Sequence, residues 1–291
     1  MRRLTAESLP LLGVDFSSAP SARKPITVAR GSLTGDVLQL ERIDALPHFA
    51  AFESMLRESG PWLGAFDFPF GLPREFVDGL ALGSTLDAVC AEVHRRCGTR
   101  MGFRALVDAW GNGRPAGQRL VHRHTDRAHA GVSSTSPLQT RYVPVGFMYF
   151  EGLRRLVEAD LTLPRLRQGD AQRVALEGYP GLLAFELIGR RSYKNSDASD
   201  RRAARADMLD ALRAGGARQS LRVGLHVDMR VDMRVDMTTA QRRAMLVNVS
   251  GDLIDALLCL VQAARASTRA DLDLPADVDA VEGWIVGAGV C

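Results

Sequence analysis

Cysteine is scarce in this chain, lysine almost missing, and long apolar runs are lacking; each absence excludes something. Four cysteines among 291 residues (Cys90, Cys97, Cys259, Cys291) are scattered with no C-x-x-C pair. That argues against a disulfide framework or a zinc knuckle and fits a reducing cytoplasm. The longest apolar runs, such as Ala256–Val261, fall far short of the roughly 20 residues a membrane span needs. The opening Met1-Arg2-Arg3-Leu4-Thr5-Ala6-Glu7 has no apolar region behind it, so no secretory leader is expected. The expectation is a cytoplasmic globular protein with no membrane association.

With 46% apolar and 24% charged residues, the chain is neither disordered nor fibrous. At this length it buries about three-quarters of its unfolded surface and needs no covalent staples. The net charge of +3 is too small to announce a nucleic-acid binder by itself. Of the 37 basic residues 35 are arginine, the two lysines being Lys24 and Lys194. Codon usage and selection for bidentate phosphate contacts would both produce that bias.

Residues 10–45 read as three strands, the last two joined at the Thr34-Gly35-Asp36 turn at hairpin spacing. Apolar residues at helical spacing follow in Phe49–Ser59, stopped by Gly60-Pro61. Trp62–Asp67, closed by Pro69, reads as a buried strand. The first third is therefore β-β-β-α-β. Phe76–Trp110 is amphipathic helix broken near Gly83 and Gly98, and residues 111–141 form a long loop rich in Gly, Arg and His, of a length that is usually functional or disordered. Pro144–Ala159 predicts a helix, and Arg173–Glu177 a strand ended by Gly178-Tyr179-Pro180-Gly181. Ala198–Ala214 and Thr238–Val247 predict two more helices, and Ser250 is the expected cap of a last one through Ala256–Val261. A repeat, Val-Asp-Met-Arg over 227–237, alternates apolar and charged residues as a strand would; a slippage expansion in a solvated loop is the favoured reading, and no function is assigned to it.

Three acids sit where acids are least expected. Asp15 interrupts an apolar strand, Asp67 ends another and Glu177 ends a third. A carboxylate there is costly unless it is hydrogen-bonded or binds a cation. Asp252 and Asp255, spaced i, i+3, share one helical face, where their charges repel; the helix dipole accounts for Asp252 better than for Asp255. Asp and Glu without His or Cys suit Mg²⁺ or Mn²⁺ rather than zinc.

The β-β-β-α-β start with these acids resembles the ribonuclease H-like fold, and Asp252-x-x-Asp255-Ala-Leu is similar to the C-terminal helix of Holliday-junction resolvases. More closely, Gly13-Val14-Asp15-Phe16-Ser17, Asp67-Phe68-Pro69-Phe70-Gly71-Leu72-Pro73, Glu177-Gly178-Tyr179-Pro180, Ser192-Tyr193-Lys194 and Asp252-x-x-Asp255-Ala resemble domain-of-unknown-function family 429, a family of predicted ribonuclease H-like nucleases. The resemblance runs from about residue 11 to 262. It implies an α/β fold with a mixed five-stranded sheet, its first three strands antiparallel, flanked by helices. One domain over 8–291 would carry an insertion at about 76–165 and the repeat at 227–237. It further implies catalytic Asp15, Asp67, Glu177 and Asp255, with Asp252 as a helping metal ligand. Asp15 would bridge two cations about 3.5–4 Å apart for phosphodiester hydrolysis.

Nucleic acid is the expected partner, and a phosphate backbone needs cations beside the acids. Arg190–Arg205 carries six cations against two acids, and Arg190, Arg191 and Lys194 are the expected phosphate contacts. The loop 112–130 carries four arginines against one acid, together with His122, His124 and His129. Two other readings stand beside the nuclease: a phosphotransferase of the related actin and sugar-kinase fold, and a non-catalytic ligand-binding relative. No glycine follows Asp15 in Phe16-Ser17-Ser18-Ala19-Pro20, which counts against a phosphate-cradling loop.

Overall fold

A computed structural model describes residues 9–129, 131–215 and 233–289. The chain begins with β1 (Pro10–Asp15), β2 (Ile26–Thr34) and β3 (Val37–Leu46), an antiparallel meander. Then come α1 (Phe49–Leu56) and β4 (Trp62–Phe66), so the expected β-β-β-α-β order is present. Three helices follow, α2 (Arg74–Gly79), α3 (Leu86–Cys97) and α4 (Arg100–Asn112). The breaks between them lie at the predicted glycines: Gly83 and Gly98 have φ of 137° and 62°, conformations that glycine adopts without a Cβ penalty. After a loop with one short 3₁₀ turn come α5 (Val145–Glu158), β5 (Leu161–Thr162), β6 (Asp170–Glu177) and α6 (Pro180–Ile188). The chain then forms α7 (Ser199–Arg213), β7 (Arg234–Asp236), α8 (Thr239–Val247) and α9 (Asp252–Ser267).

Among the described residues, seven strands form one mixed sheet in the order β5-β6-β4-β1-β2-β3-β7. The sequence predicts five. The additional two are edge strands of two and three residues: β5 is too short to show an alternation, and the alternation at β7 belongs to the repeat. β7 is the end of the repeat: it pairs parallel with β3, burying Met233, Val235 and Met237 while Arg234 and Asp236 face solvent. That replaces the solvated-loop reading for residues 233–237; residues 227–232 lie outside the described residues. The helix α6 is also additional to the predicted elements, because Gly-Tyr-Pro-Gly reads as a stop, whereas Pro180 opens a helix at its first position.

Alternation along the strands divides the core into two layers. Leu12, Val14, Ile26 and Phe66 face α1, α3, α4 and α5, while Leu11, Leu38, Leu63 and Leu176 face α7, α8 and α9. α9 is apolar nearly all round and buried from Ile254 to Ala264, as a helix enclosed by protein must be. Its cap is not Ser250. Gly251, at φ 87°, is the N-cap, and the Asn248 carboxamide oxygen accepts from Leu253 N at 3.2 Å. Among the described residues no helix is long and apolar enough to cross a membrane.

Candidate metal centre

β1, β4 and β6 run parallel, so their C-terminal ends lie along one edge of the sheet. Asp15 ends β1, and Asp67 directly follows β4 with its N–H donating to Val14 O at 2.9 Å. On β1, Gly13 and Asp15 are two residues apart and face α9. A Cβ on Gly13 would lie 2.1 Å from Leu260 N and 2.2 Å from Ala256 O, a clash with backbone that has no flexible end to yield. The bare Cα therefore lets α9 lie directly on β1, and that close approach brings Asp255, in the first turn of α9, over Asp15.

One carboxylate oxygen from each of Asp15, Asp67 and Asp255 lies within 4.8 Å of the others. Asp255 is buried, and Asp15 and Asp67 are half-buried. Burial and the charges of Asp255, Asp67 and Asp252 hold the Asp15 carboxyl well above the usual carboxylate range. Burial raises Asp67 to about 7, Lys194 opposing and Asp255 and Glu177 adding to the rise. Asp255 is also raised by burial, while Lys194 and Tyr193 pull it down. Both groups touch it: Tyr193 Oη donates to Asp255 Oδ1 at 2.6 Å, and Lys194 Nζ donates to Asp255 Oδ2. Cys259, buried one turn further along α9, has its thiol pushed well up by burial and by the acids, so it sits beneath them as a neutral group. Asp252 is outside the group of three, though its charge is felt at both Asp15 and Asp255.

Glu177 is not brought into the group. Its register partner on β4 is Phe66, one residue before Asp67, so it faces the opposite side of the sheet from Asp67. There Arg123 grips it with two bonds, Nη2 to Oε1 at 2.6 Å and Nη1 to Oε2 at 2.8 Å, and Phe70 N donates to Oε2 at 2.8 Å. Arg123 also holds Asp126, Nη2 to Oδ1 at 2.8 Å, and all three side chains are buried. On the α9 side, the residue directly after β6 is Gly178, which meets Cys259 and Gln262 and carries no side chain.

Two arginines counted by charge alone prove to be internal braces. Arg123, from the basic loop, is the partner of Glu177. Arg205 is fully buried and donates to the carbonyls of Tyr193 (2.8 Å), Leu246 (2.9 Å) and Ser196 (3.1 Å). Arg205 had a legible signal: it stands on the apolar stripe of α7 with Met208, Leu209 and Leu212, where a cation needs partners. Arg123 had none, since Glu177 is 54 residues away. Of the remaining expected phosphate contacts, Arg190 donates to Gly131 O at 2.9 Å and Arg191 to Asp207 at 2.7 Å, both at the surface. They border an open groove of about 590 Å³ that is also lined by Tyr193, the residue whose hydroxyl bonds Asp255.

No curated protein and no solved structure matches the chain. A family model does, over residues 13–280, a span that includes Asp15, Asp67 and Asp255 as well as Lys194. The chain belongs to the family described as protein of unknown function DUF429.

Proposed function

We propose that the protein is a divalent-cation-dependent phosphodiester hydrolase acting on nucleic acid, with Asp15, Asp67 and Asp255 as its metal-binding carboxylates. The observation that carries this reading is the convergence of three acids from two strand ends and one helix on a half-buried spot. Acids with raised pKa values at the edge of a sheet are typical of functional sites. The donor set is hard oxygen, with no histidine in it among the described residues and a neutral thiol close by, and it suits Mg²⁺ or Mn²⁺. When bound, such a cation supplies Lewis acidity toward water and a phosphoryl oxygen.

The chain's own groups would do the rest. Asp15 and Asp67 hold the cation at the sheet edge; Tyr193 fixes the rotamer of Asp255 through its hydroxyl; Lys194 presents an ammonium beside the acids. The groove bordered by Arg190 and Arg191 leads a phosphate backbone toward them, positioning it without reading its sequence. The ribonuclease H-like arrangement belongs to this proposal: its support is the β-β-β-α-β order with an acid ending the first strand and another directly after the fourth.

The test is cleavage of labelled single-stranded, duplex and branched DNA and RNA with Mg²⁺ or Mn²⁺, with Asp15→Asn as the control. Metal-dependent cleavage that the control lacks supports the proposal, and no cleavage of any substrate opposes it. In the same series, Arg190→Gln with Arg191→Gln weakens binding to every sequence and flattens the salt dependence by about 0.7–0.9 log units per lost contact. An unchanged slope would remove the two arginines from the proposal.

A further inference from the structure

Resting on the reading above, we infer that the centre takes one divalent cation, held by the group Asp15, Asp67 and Asp255, and that the Lys194 ammonium takes the place of a second. Three carboxylates and one ammonium share the site. One divalent cation balances them; two would leave a positive surplus in a partly buried place, where unbalanced charge is costly. Both Asp255 oxygens are already engaged, by Tyr193 and Lys194. Among the described residues no fourth acid joins the group: Asp252 reaches it by charge only, and Arg123 neutralises Glu177 on the far side of the sheet.

The lysine is built in rather than loosely draped. Its carbonyl accepts from Arg201 at 2.8 Å, and the neighbouring carbonyl of Tyr193 accepts from buried Arg205 at 2.8 Å. Asn195 N donates to Val249 O at 2.8 Å, tying the segment to the start of α9. The stem crosses Gly251, where a Cβ would come within 2.8 Å of Lys194 Cγ. In a chain that uses arginine at nearly every basic position, this is one of two lysines. A compact ammonium fits among three carboxylates where a planar guanidinium does not. Facing substrate, its remaining protons would donate to a non-bridging phosphoryl oxygen and offset charge that develops there. No covalent step at Lys194 is involved.

The test is the binding stoichiometry of Mn²⁺ on the full chain at pH 8, by calorimetry and by the free-Mn²⁺ electron paramagnetic resonance signal. Wild type should bind one equivalent. Lys194→Met, shown folded by circular dichroism, should bind Mn²⁺ about tenfold more tightly or accept a second equivalent, because an ammonium among the ligands opposes the cation. Two equivalents on wild type overturn the inference while leaving the hydrolase reading standing, whatever the variant does. Unchanged stoichiometry and affinity in a folded Lys194→Met also overturn it. No binding by wild type removes the hydrolase reading together with the inference.

Discussion

Asp67 and Glu177 stand one residue out of register on neighbouring parallel strands and therefore face opposite sides of the sheet. That single offset separates the acids into two systems. Asp67 joins Asp15 and Asp255 in a cluster whose cationic contact is Lys194, and Glu177 joins a buried ion-pair network with Arg123 and Asp126. The first is the proposed cation site, and the second already holds the Arg123 guanidinium.

Removing one partner of the second system should destabilise the protein without touching the first. Arg123→Met leaves Glu177 and Asp126 buried and uncompensated and is expected to cost about 3–5 kcal/mol, with Arg123→Met/Glu177→Gln recovering part of it. Denaturant melts measure this. Divalent affinity of Glu177→Gln should stay within about threefold of wild type; a loss of tenfold or more would make Glu177 a ligand.

Gly13 tests whether the packing of α9 positions the centre. Gly13→Ala forces its methyl into the backbone of Leu260 and Ala256, so α9 must shift from β1. Overpacking of this kind costs about 1–3 kcal/mol or more, and it should also lower divalent affinity by moving Asp255. A variant with wild-type melting temperature and wild-type affinity would contradict the role given to this glycine.

Much of this arrangement was legible in the sequence, and the limits have physical causes. Asp15, Asp67 and Asp255 stood out because a charge in an apolar context needs a reason, and that argument holds wherever it is applied. Glu177 passed the same test and is placed elsewhere, because burial explains that an acid has a partner but not which one. Its partner lies 54 residues away in a loop that carries no periodicity. Lys194 is expected from its segment to lie in a loop beside the acids as a phosphate contact; its bond to Asp255 is the detail the segment's charge does not reveal. Local charge counts do not register the direction of a side chain. The five longer strands were readable along the chain; β5 was not, since two residues cannot display a period, and β7 lies in a repeat whose alternation is visible but whose favoured sequence reading is a solvated expansion.

The pH dependence has a definite sign. Asp67 is raised to about 7 in the folded chain from an ordinary 3.8, so between those values the folded state holds a proton that the unfolded state has released. Metal-free stability should therefore fall as pH rises from about 4 to 7, and Asp67→Asn should flatten that slope. Divalent affinity should rise over the upper part of the same window, because the cation binds the ionised form. Thermal melts across pH, with and without Mn²⁺, check both; a metal-free stability that climbs through this window would contradict the assignment.

The central claim is that Asp15, Asp67 and Asp255 form a cation site, and a calorimetric titration of wild type against Asp15→Asn with Mn²⁺ tests it most directly. Asp15 is held well above the usual carboxylate range by burial and by like charges, so Asp15→Asn should leave the metal-free protein as stable as wild type or about 1 kcal/mol more stable. The same variant should bind Mn²⁺ at least about tenfold more weakly, a loss of about 1.4 kcal/mol or more. A folded Asp15→Asn that binds Mn²⁺ as wild type does, or a strong destabilisation by that substitution alone, would show Asp15 to be a hydrogen-bonded structural residue and contradict the account.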